Sequence, residues 1–302
     1  MPKSISAVIP TRNRPADLTK AVISILEQKR LPDALIVVDQ SDGNESVDSV
    51  NQLFEQESPI ELIYVHDPRV SGLVEAKKVA SEISDHDIIC FLEDDVVLED
   101  TYLENIEQGF LNNPEMLGCS GVITNQPYQS GFYRHMHALF FRGIFKDPRV
   151  QIFGQQTSDA DKNGLILCDV LSGGLSAWRR GVLQSVPFDV GNGFFMFEDI
   201  EYSTRVVKEY GHKLYINKNA RLEHHMAARN RDPHGYRQQR KLKEAVLFYK
   251  KRKHWPGARI GLFSSMLWWL AEAVYQSARG LRFGPLFGYW RGVYEGITSR
   301  LV

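Results

Sequence analysis

The chain has 302 residues, 43% of them hydrophobic and 24% charged, with 36 Lys and Arg against 37 Asp and Glu. This composition excludes a disordered chain and indicates one large or two small globular domains. Three widely spaced cysteines without a C-x-x-C pair argue against a disulfide framework and a zinc cluster, and they are typical of a reducing compartment. Because the N-terminus leads directly into an apolar run, we expect no signal peptide and a cytoplasmic protein.

The first half of the chain alternates short apolar runs with helical patterns. The apolar runs predict strands at residues 5–9, 34–38, 60–65 and 88–92, and the spacing between them predicts helices at 15–28, 46–54 and 73–83. Such alternation predicts an α/β fold, a mostly parallel sheet flanked by helices. Polar residues follow the strands at 10–14, 39–43 and 93–95, so they gather at the sheet edge where ligands bind. There is no G-x-G-x-x-G at the first turn and no P-loop, which argues against the ordinary dinucleotide fold and a P-loop NTPase.

The acidic triplet Glu93-Asp94-Asp95 directly follows the fourth predicted strand. Three carboxylates at the end of a buried strand repel one another, and a bound cation relieves that repulsion. Oxygen ligands of this kind suit Mg²⁺ or Mn²⁺. The alternative is a solvated acidic turn before a helix.

Residues 124–170 are irregular and rich in aromatic side chains, and they lead to the paired glycines Gly173 and Gly174. Paired glycines indicate a close approach of the backbone to a ligand, or else a plain turn.

The C-terminal segment is basic and aromatic. Residues 229–302 contain 15 Lys and Arg against 4 Asp and Glu, a net charge of +11, together with four of the five tryptophans. The pattern predicts a basic helix at 235–254, and the apolar stretches at 260–275 and 281–297 are too short and too polar for a confident membrane span. We interpret the segment as docking on an anionic membrane surface. Packing on the rest of the chain, a homo-oligomer contact and nucleic-acid binding are the alternatives, and of these we expect no nucleic-acid partner.

From about Ser6 to His225, the chain resembles family 2 glycosyltransferases of the GT-A fold, such as those that build bacterial surface polysaccharides. The segments that carry the resemblance, in chain order, are 8–14, 36–43, 72–78, 93–95, 173–180, 197–205 and 220–224. Four positions depart from the family pattern: Arg12 replaces an aromatic residue, Lys77 and Lys78 replace an Arg and an Asn, and Glu93 replaces the first Asp of the D-x-D motif.

The resemblance implies a nucleotide-sugar donor, with UDP or dTDP as the nucleotide. Asp39 would contact the base, while Glu93 and Asp94 would serve the ribose hydroxyls or the metal. The full set of expected donor-binding residues is Pro10, Thr11, Arg12, Arg14, Asp39, Lys77, Glu93 and Asp94. For Arg12, Arg14 and Lys77 a solvated surface charge is the alternative.

The resemblance also assigns metal ligands and an acceptor side. Asp95 and His224 would ligate Mg²⁺ or Mn²⁺, and the adjacent His225 would face away because neighbouring strand residues point to opposite faces. An acceptor hydroxyl needs a general base, for which we choose Asp199. The residues expected on the acceptor side are Gly173, Gly174, Trp178 and Glu198. For Glu198 and Asp199, complementing a helix dipole is the alternative.

We therefore expect a metal-dependent, inverting glycosyltransferase that acts on a glycan or lipid-linked acceptor, in surface polysaccharide synthesis at the inner face of the cell membrane. The expected division is a catalytic domain at 1–228, in which residues 1–123 bind the donor and residues 124–228 form the acceptor side, followed by a helical segment at 229–302. A nucleotidyltransferase acting on sugar phosphates and a non-catalytic glycan-binding or scaffold protein are the alternative functions.

Overall fold

The computed structural model describes residues 3–54, 58–127, 129–153, 160–192, 196–225 and 234–301. The chain folds into two compact units. The first unit comprises Met1–Pro127, Gln156–Val190 and Tyr202–Ala227, and the second comprises Tyr128–Gln155, Gly191–Glu201 and Ala228–Val302.

The first unit is built on a mixed sheet, whose described strands are β1 Ile5–Thr11, β2 Ala34–Asp39, β3 Glu61–His66, β4 Ile88–Phe91, β5 Val96–Leu98, β6 Gly118–Ile123, β7 Leu165–Leu167, β8 Ser176–Arg179 and β9 Leu214–His224. Their order is β3-β2-β1-β4-β8-β6-β9-β5, and β7 pairs with β9. Strands β1 to β4 run parallel to their neighbours in this group, whereas β8 is antiparallel to β4. The sheet is therefore mostly parallel on the side formed by the first half of the chain.

The helices of the described residues are α1 Pro15–Leu26, α2 Glu45–Leu53, α3 Leu73–Ile83, α4 Tyr102–Asn112, α5 Gly131–Phe140, α6 Arg149–Phe153, α7 Arg180–Ser185, α8 Glu198–Tyr210, α9 His234–Arg252, α10 Ala258–Gly280 and α11 Gly284–Thr298. The predicted alternation of four strands and three helices in the first half is confirmed, with every end within two residues of its predicted position.

Both faces of the central strands are buried. Along β1, Ala7 and Ile9 belong to one apolar cluster, and Val8, which points the other way, belongs to a second cluster. The side chains of β4 are also distributed between the two clusters, with Cys90 in the first cluster and Phe91 in the second. A strand covered on both faces needs apolar residues at every position, which explains the continuous apolar runs of the sequence.

The second unit has an aromatic core to which distant parts of the chain contribute. The Phe145 ring packs edge-on against Phe197, Phe248 and Trp269, with ring centroids 5.3 to 5.9 Å apart. The irregular middle of the sequence thus packs with the C-terminal helices. This differs from the expected division at residue 228, because aromatic side chains have no local pattern that reveals their partners.

Helices α9 and α11 pack in parallel through glycines spaced four residues apart. A Cβ added at Gly288 would overlap the backbone of Gly235, and one added at Gly292 would overlap the backbone of Gln239. Small residues at this spacing let two helix backbones approach closely.

A lysine of the predicted basic helix holds the end of α11. Lys250 Nζ donates to the backbone carbonyl oxygens of Gly296, Ile297 and Ser299 at 2.7 to 3.0 Å. These groups lie at the helix end, where carbonyls lack intrahelical partners. Arg252 is also engaged internally, because it pairs with the buried Glu201. Some of the positive charge on α9 therefore serves the fold.

Cys90, Cys119 and Cys168 are all buried, and no disulfide joins any of them. Among the described helices, none combines the length and apolar character that crossing a membrane requires.

Candidate active site

The acidic triplet leaves β4 at the carboxyl end of the parallel strands. Strand β5 then pairs antiparallel with β9 and places Val96 opposite His224. His224 Nε2 lies 2.9 Å from Glu93 Oε2 and 3.0 Å from Asp95 Oδ1. The three ligand atoms all lie within 4.8 Å of one another, which is close enough to share one metal ion.

The imidazole supplies positive charge to this cluster. Hydrogen bonds to Asp95 and then Glu93 raise the pKa of His224 to about 10. A divalent cation would take over that role, because it favours ionised carboxylates and a neutral imidazole. Two carboxylates suit Mg²⁺ or Mn²⁺, and the imidazole nitrogen favours Mn²⁺ as the more nitrogen-tolerant ion. His225 pairs with Glu223 at 3.0 Å, away from the cluster, as strand alternation predicts.

Asp94 points towards β1 instead of towards the cluster. Its carboxylate accepts hydrogen bonds from Thr11 Oγ1 at 2.8 Å and from Arg14 Nη1 at 2.9 Å. Burial raises the pKa of Asp94 to about 6, although Arg14 and Thr11 act in the opposite direction. Arg14 also lies 3.6 Å from Asp95 Oδ2, so its guanidinium is tied to the acidic segment and is not a solvated charge.

The paired glycines make room for one of the carboxylates. Gly173–Leu175 form a short 3₁₀ turn before β8, and a Cβ added at Gly174 would overlap the side chain of Glu93. In the described structure, the close approach expected at these glycines is thus made by a side chain of the cluster itself.

Trp178, expected on the acceptor side, is only 2% exposed. Its ring packs edge-on against Tyr202, and its Nε1 donates to Ser176 Oγ. We therefore assign this tryptophan to the core of the first unit and not to an acceptor surface.

The remaining expected donor residues differ in exposure. Asp39 is buried at the end of β2, where it accepts hydrogen bonds from the Ser41 backbone N–H and from the Tyr64 hydroxyl. Pro10 is buried in β1, while Arg12 lies exposed just beyond it. Lys77 is buried too, with its Nζ 5.9 Å from the Phe91 ring centroid, so the solvated-charge alternative does not hold for this lysine.

The predicted base lies at the start of α8, in the second unit. Asp199 Oδ2 is 2.5 Å from Arg149 Nη1, and the same guanidinium also binds Asp147 through two nitrogens at 2.8 Å. Burial acts to raise the pKa of Asp147, but the charge of Arg149 brings it below the usual range. Glu198 is buried next to Asp199. Arg149 was not foreseen from the sequence, because it lies in the irregular middle segment without a recognisable pattern.

Comparison with solved structures defines the class of protein. A mannosyltransferase from Pyrobaculum calidifontis, PcManGT, in complex with GDP-Man and Mn²⁺, superposes with a TM-score of 0.60 at 15% identity, covering 98% of this chain and 85% of that one. GalNAc-T7 with UDP, GalNAc and Mn²⁺ gives a TM-score of 0.59 at 14% identity, covering 81% of this chain and 48% of that one, so the present chain corresponds to about half of it. The fold is therefore that of the GT-A glycosyltransferases.

The family follows from the sequence. The model of the family described as "Glycosyl transferase family 2" matches residues 6–185, which is more than half of the chain. The chain belongs to glycosyl transferase family 2. Among curated proteins, no sequence matches it significantly.

Proposed function

We propose that this protein transfers a sugar from a nucleotide sugar to a glycan or lipid-linked acceptor, with Mn²⁺ or Mg²⁺ held by Glu93, Asp95 and His224. The observation that carries the proposal is the convergence of these three side chains within 4.8 Å at the ligand-binding edge of the sheet. The two similar structures were both solved with Mn²⁺, which supports the choice of metal.

When bound, the cation stabilises the negative charge that develops on the diphosphate leaving group. The protein's own residues orient this centre. Arg14 fixes Asp94 and lies beside Asp95, while Gly174 leaves the space that the Glu93 carboxylate fills. We retain UDP or dTDP as the proposed nucleotide, with Asp39 near the base. GDP belongs in the same test because it occurs in the mannosyltransferase structure.

For the acceptor step, we propose Asp199 as the general base of an inverting displacement. Arg149 holds one oxygen of this carboxylate at 2.5 Å, and Asp147 in turn holds Arg149. Such a pair fixes the orientation of the base before the acceptor hydroxyl arrives, and orientation contributes substantially to catalysis.

We further propose that the C-terminal segment attaches the enzyme to an anionic membrane at the inner face of the cell membrane, where lipid-linked acceptors of surface polysaccharide synthesis would be available. The +11 charge of residues 229–302 supports this proposal.

The deciding experiment is a screen of UDP-, dTDP- and GDP-sugars for hydrolysis and thermal stabilisation, with Mn²⁺, Mg²⁺ or chelator. Asp95→Asn should abolish metal-dependent turnover, whereas Asp85→Asn, at an exposed carboxylate outside the cluster, should not change it. Release of a nucleoside diphosphate supports a glycosyltransferase, and release of pyrophosphate would instead indicate a nucleotidyltransferase. Full activity in excess chelator would refute the metal role.

The base has its own test. Asp199→Asn preserves the shape of the side chain, so donor binding should persist while transfer falls by about 10²-fold or more. Glu209→Gln, at an exposed position of the same helix, is the matched control. Near wild-type transfer by Asp199→Asn would move the role to another carboxylate.

A further inference from the structure

Helix α10 exposes a stripe of apolar side chains, unlike an ordinary surface helix. Five large apolar or aromatic side chains of α10 are 44% to 68% exposed; they are Ile260, Phe263, Leu267, Val274 and Tyr275. Spaced three, four, seven and one residues apart, they form one stripe along the helix. A helix that faces water usually shows the opposite arrangement.

The inward side of α10 is also mostly apolar, with Ala258, Trp269 and Ala273 buried. Ser265 is fully buried, and Glu272 accepts from Lys241 Nζ at 2.6 Å and from Gln276 Nε2 at 2.9 Å. A helix that is apolar on its exposed side as well as its buried side is typical of one that is covered on both sides.

Helix α11 continues the same surface. The large apolar or aromatic side chains that are exposed on α11 and at the residue before it are 57% to 75% accessible and spaced four, three, four and three residues apart; they are Phe283, Phe287, Trp290, Tyr294 and Ile297. Leu281, in the turn that joins the two helices, is 91% exposed. We call the exposed side chains of α10 and α11, together with Leu281, the aromatic face. Exposed apolar side chains grouped in this number on two consecutive helices indicate an interaction site.

The charges around the aromatic face identify its partner. Exposed arginines flank it at positions 259, 279, 282, 291 and 300. The two acidic residues of segment 253–301 are both engaged, Glu272 with Lys241 and Glu295 with Arg291. Aromatic side chains fringed by cations suit an anionic lipid headgroup layer. In a symmetric dimer through the same face, each arginine fringe would instead meet its own copy, which is repulsive.

We infer that the aromatic face inserts into the headgroup–acyl boundary of an anionic bilayer, with α10 and α11 lying in the membrane plane. This inference rests on the membrane attachment proposed above. It attributes the attachment mainly to the aromatic face and not to the net positive charge of the segment. Apolar insertion provides most of the binding and the arginines provide the preference for anionic lipid, while Lys250 and Arg252 serve the fold.

The test uses the full chain and vesicles of phosphatidylcholine with or without phosphatidylglycerol. The double variant Phe263→Gln/Phe287→Gln removes two exposed rings and should weaken partitioning by about 10²-fold. Leu167→Gln, at a 52%-exposed position on β7, is the matched control and should bind like wild type. Arg279→Gln/Arg282→Gln should lose about fivefold per residue on anionic vesicles only, and high salt should remove this preference but not the ring-dependent binding.

Three results would overturn the inference: vesicle binding that the double variant does not change, binding that high salt abolishes, or no vesicle binding by wild type. In the last case, a concentration-dependent dimer disrupted by the same double variant would assign the face to a second copy. Metal-dependent donor hydrolysis in solution is measured in parallel. It should be equal in the wild type, the double phenylalanine variant and the double arginine variant. Vesicle binding by a wild-type protein that shows no metal-dependent hydrolysis would count against the catalytic proposal alone.

Discussion

The proton on His224 couples the proposed metal centre to pH. Hydrogen bonds to Asp95 and Glu93 raise its pKa from 6.5 to about 10, so the imidazole is charged in the metal-free protein at neutral pH. Its contribution to fold stability is therefore complete below about pH 6.5 and is lost as the pH rises through about 10. A metal needs the neutral imidazole and must displace that proton.

We therefore expect Mn²⁺ affinity to rise by nearly tenfold per pH unit between pH 6.5 and 8.5, with release of close to one proton per ion. Calorimetry in buffers of different ionisation enthalpy measures both quantities. His224→Asn should bind more weakly and lose the proton release, whereas His225→Asn, at a residue paired with Glu223, should keep it. An affinity independent of pH in the wild type would contradict this coupling.

Gly174 gives a second prediction, because its missing side chain leaves the space for Glu93. In Gly174→Ala the new Cβ would overlap Glu93, and the carboxylate must leave the cluster. Since lost support of a ligand typically costs 10- to 100-fold in metal affinity, we expect a decrease of at least about 10-fold.

The matched control for Gly174→Ala is Gly181→Ala in α7, where a Cβ meets no atom within 4 Å. Alanine at that helical site should leave metal affinity unchanged and stabilise the fold by about 0.5–1 kcal/mol. Equal metal affinity in the two variants would show that Glu93 is not a ligand.

The sequence predicted this centre incompletely. Asp95 and His224 were both expected there, because the resemblance to family 2 glycosyltransferases implied them as ligands of the cation that an acidic strand end needs. The separate roles of Glu93 and Asp94 could not be predicted, since the direction of each carboxylate depends on the turn after β4. Arg149 was missed entirely, because its contact with Asp199 spans 50 residues and follows no local pattern.

At the scale of elements, the parallel contact of α9 with α11 depends on glycine. In Gly292→Ala the added Cβ would overlap the Gln239 backbone, which cannot rotate away as a side chain can. We expect a loss of about 1–3 kcal/mol in the free energy of unfolding, as is usual for overpacking. Urea titration measures it, and Gly280→Ala, where a Cβ meets nothing within 4 Å, provides the control. Equal free energies of unfolding for the two variants would show that the α9–α11 contact accommodates the added methyl group.

The strands and helices of the first half followed from periodicity because each is specified by its own residues. The three C-terminal helices were also foreseen approximately, but their contacts were not. The repeat Gly284, Gly288, Gly292, Gly296 is visible in the sequence as a small-residue pattern and is the signal that could have revealed the close packing of α11.

At the scale of the whole molecule, the second unit draws its core from three separate segments of the chain. Phe145 and Phe197 pack against Phe248 and Trp269 of the C-terminal helices. A chain truncated after residue 228 should therefore expose these rings and lose the structure of residues 129–153, although the first unit keeps its own two apolar clusters.

Limited trypsinolysis tests this expectation, because Arg134, Arg142 and Arg149 lie in that middle segment. We expect rapid cleavage there in the truncated protein and protection in the full chain. Protection of these sites after truncation, together with retained transfer activity, would support the division at residue 228 that the sequence suggested.

The burial of all three cysteines has a chemical consequence for this enzyme. Burial raises the pKa of the Cys90 thiol to about 12, and it raises those of Tyr102 and Cys119 nearby as well. A thiol that stays protonated and enclosed reacts slowly with peroxides and alkylating agents. Oxidative stress that inactivates thiol-dependent enzymes should therefore leave this enzyme active. A single cysteine introduced at the surface would react much faster than the three buried thiols, so it could be labelled selectively.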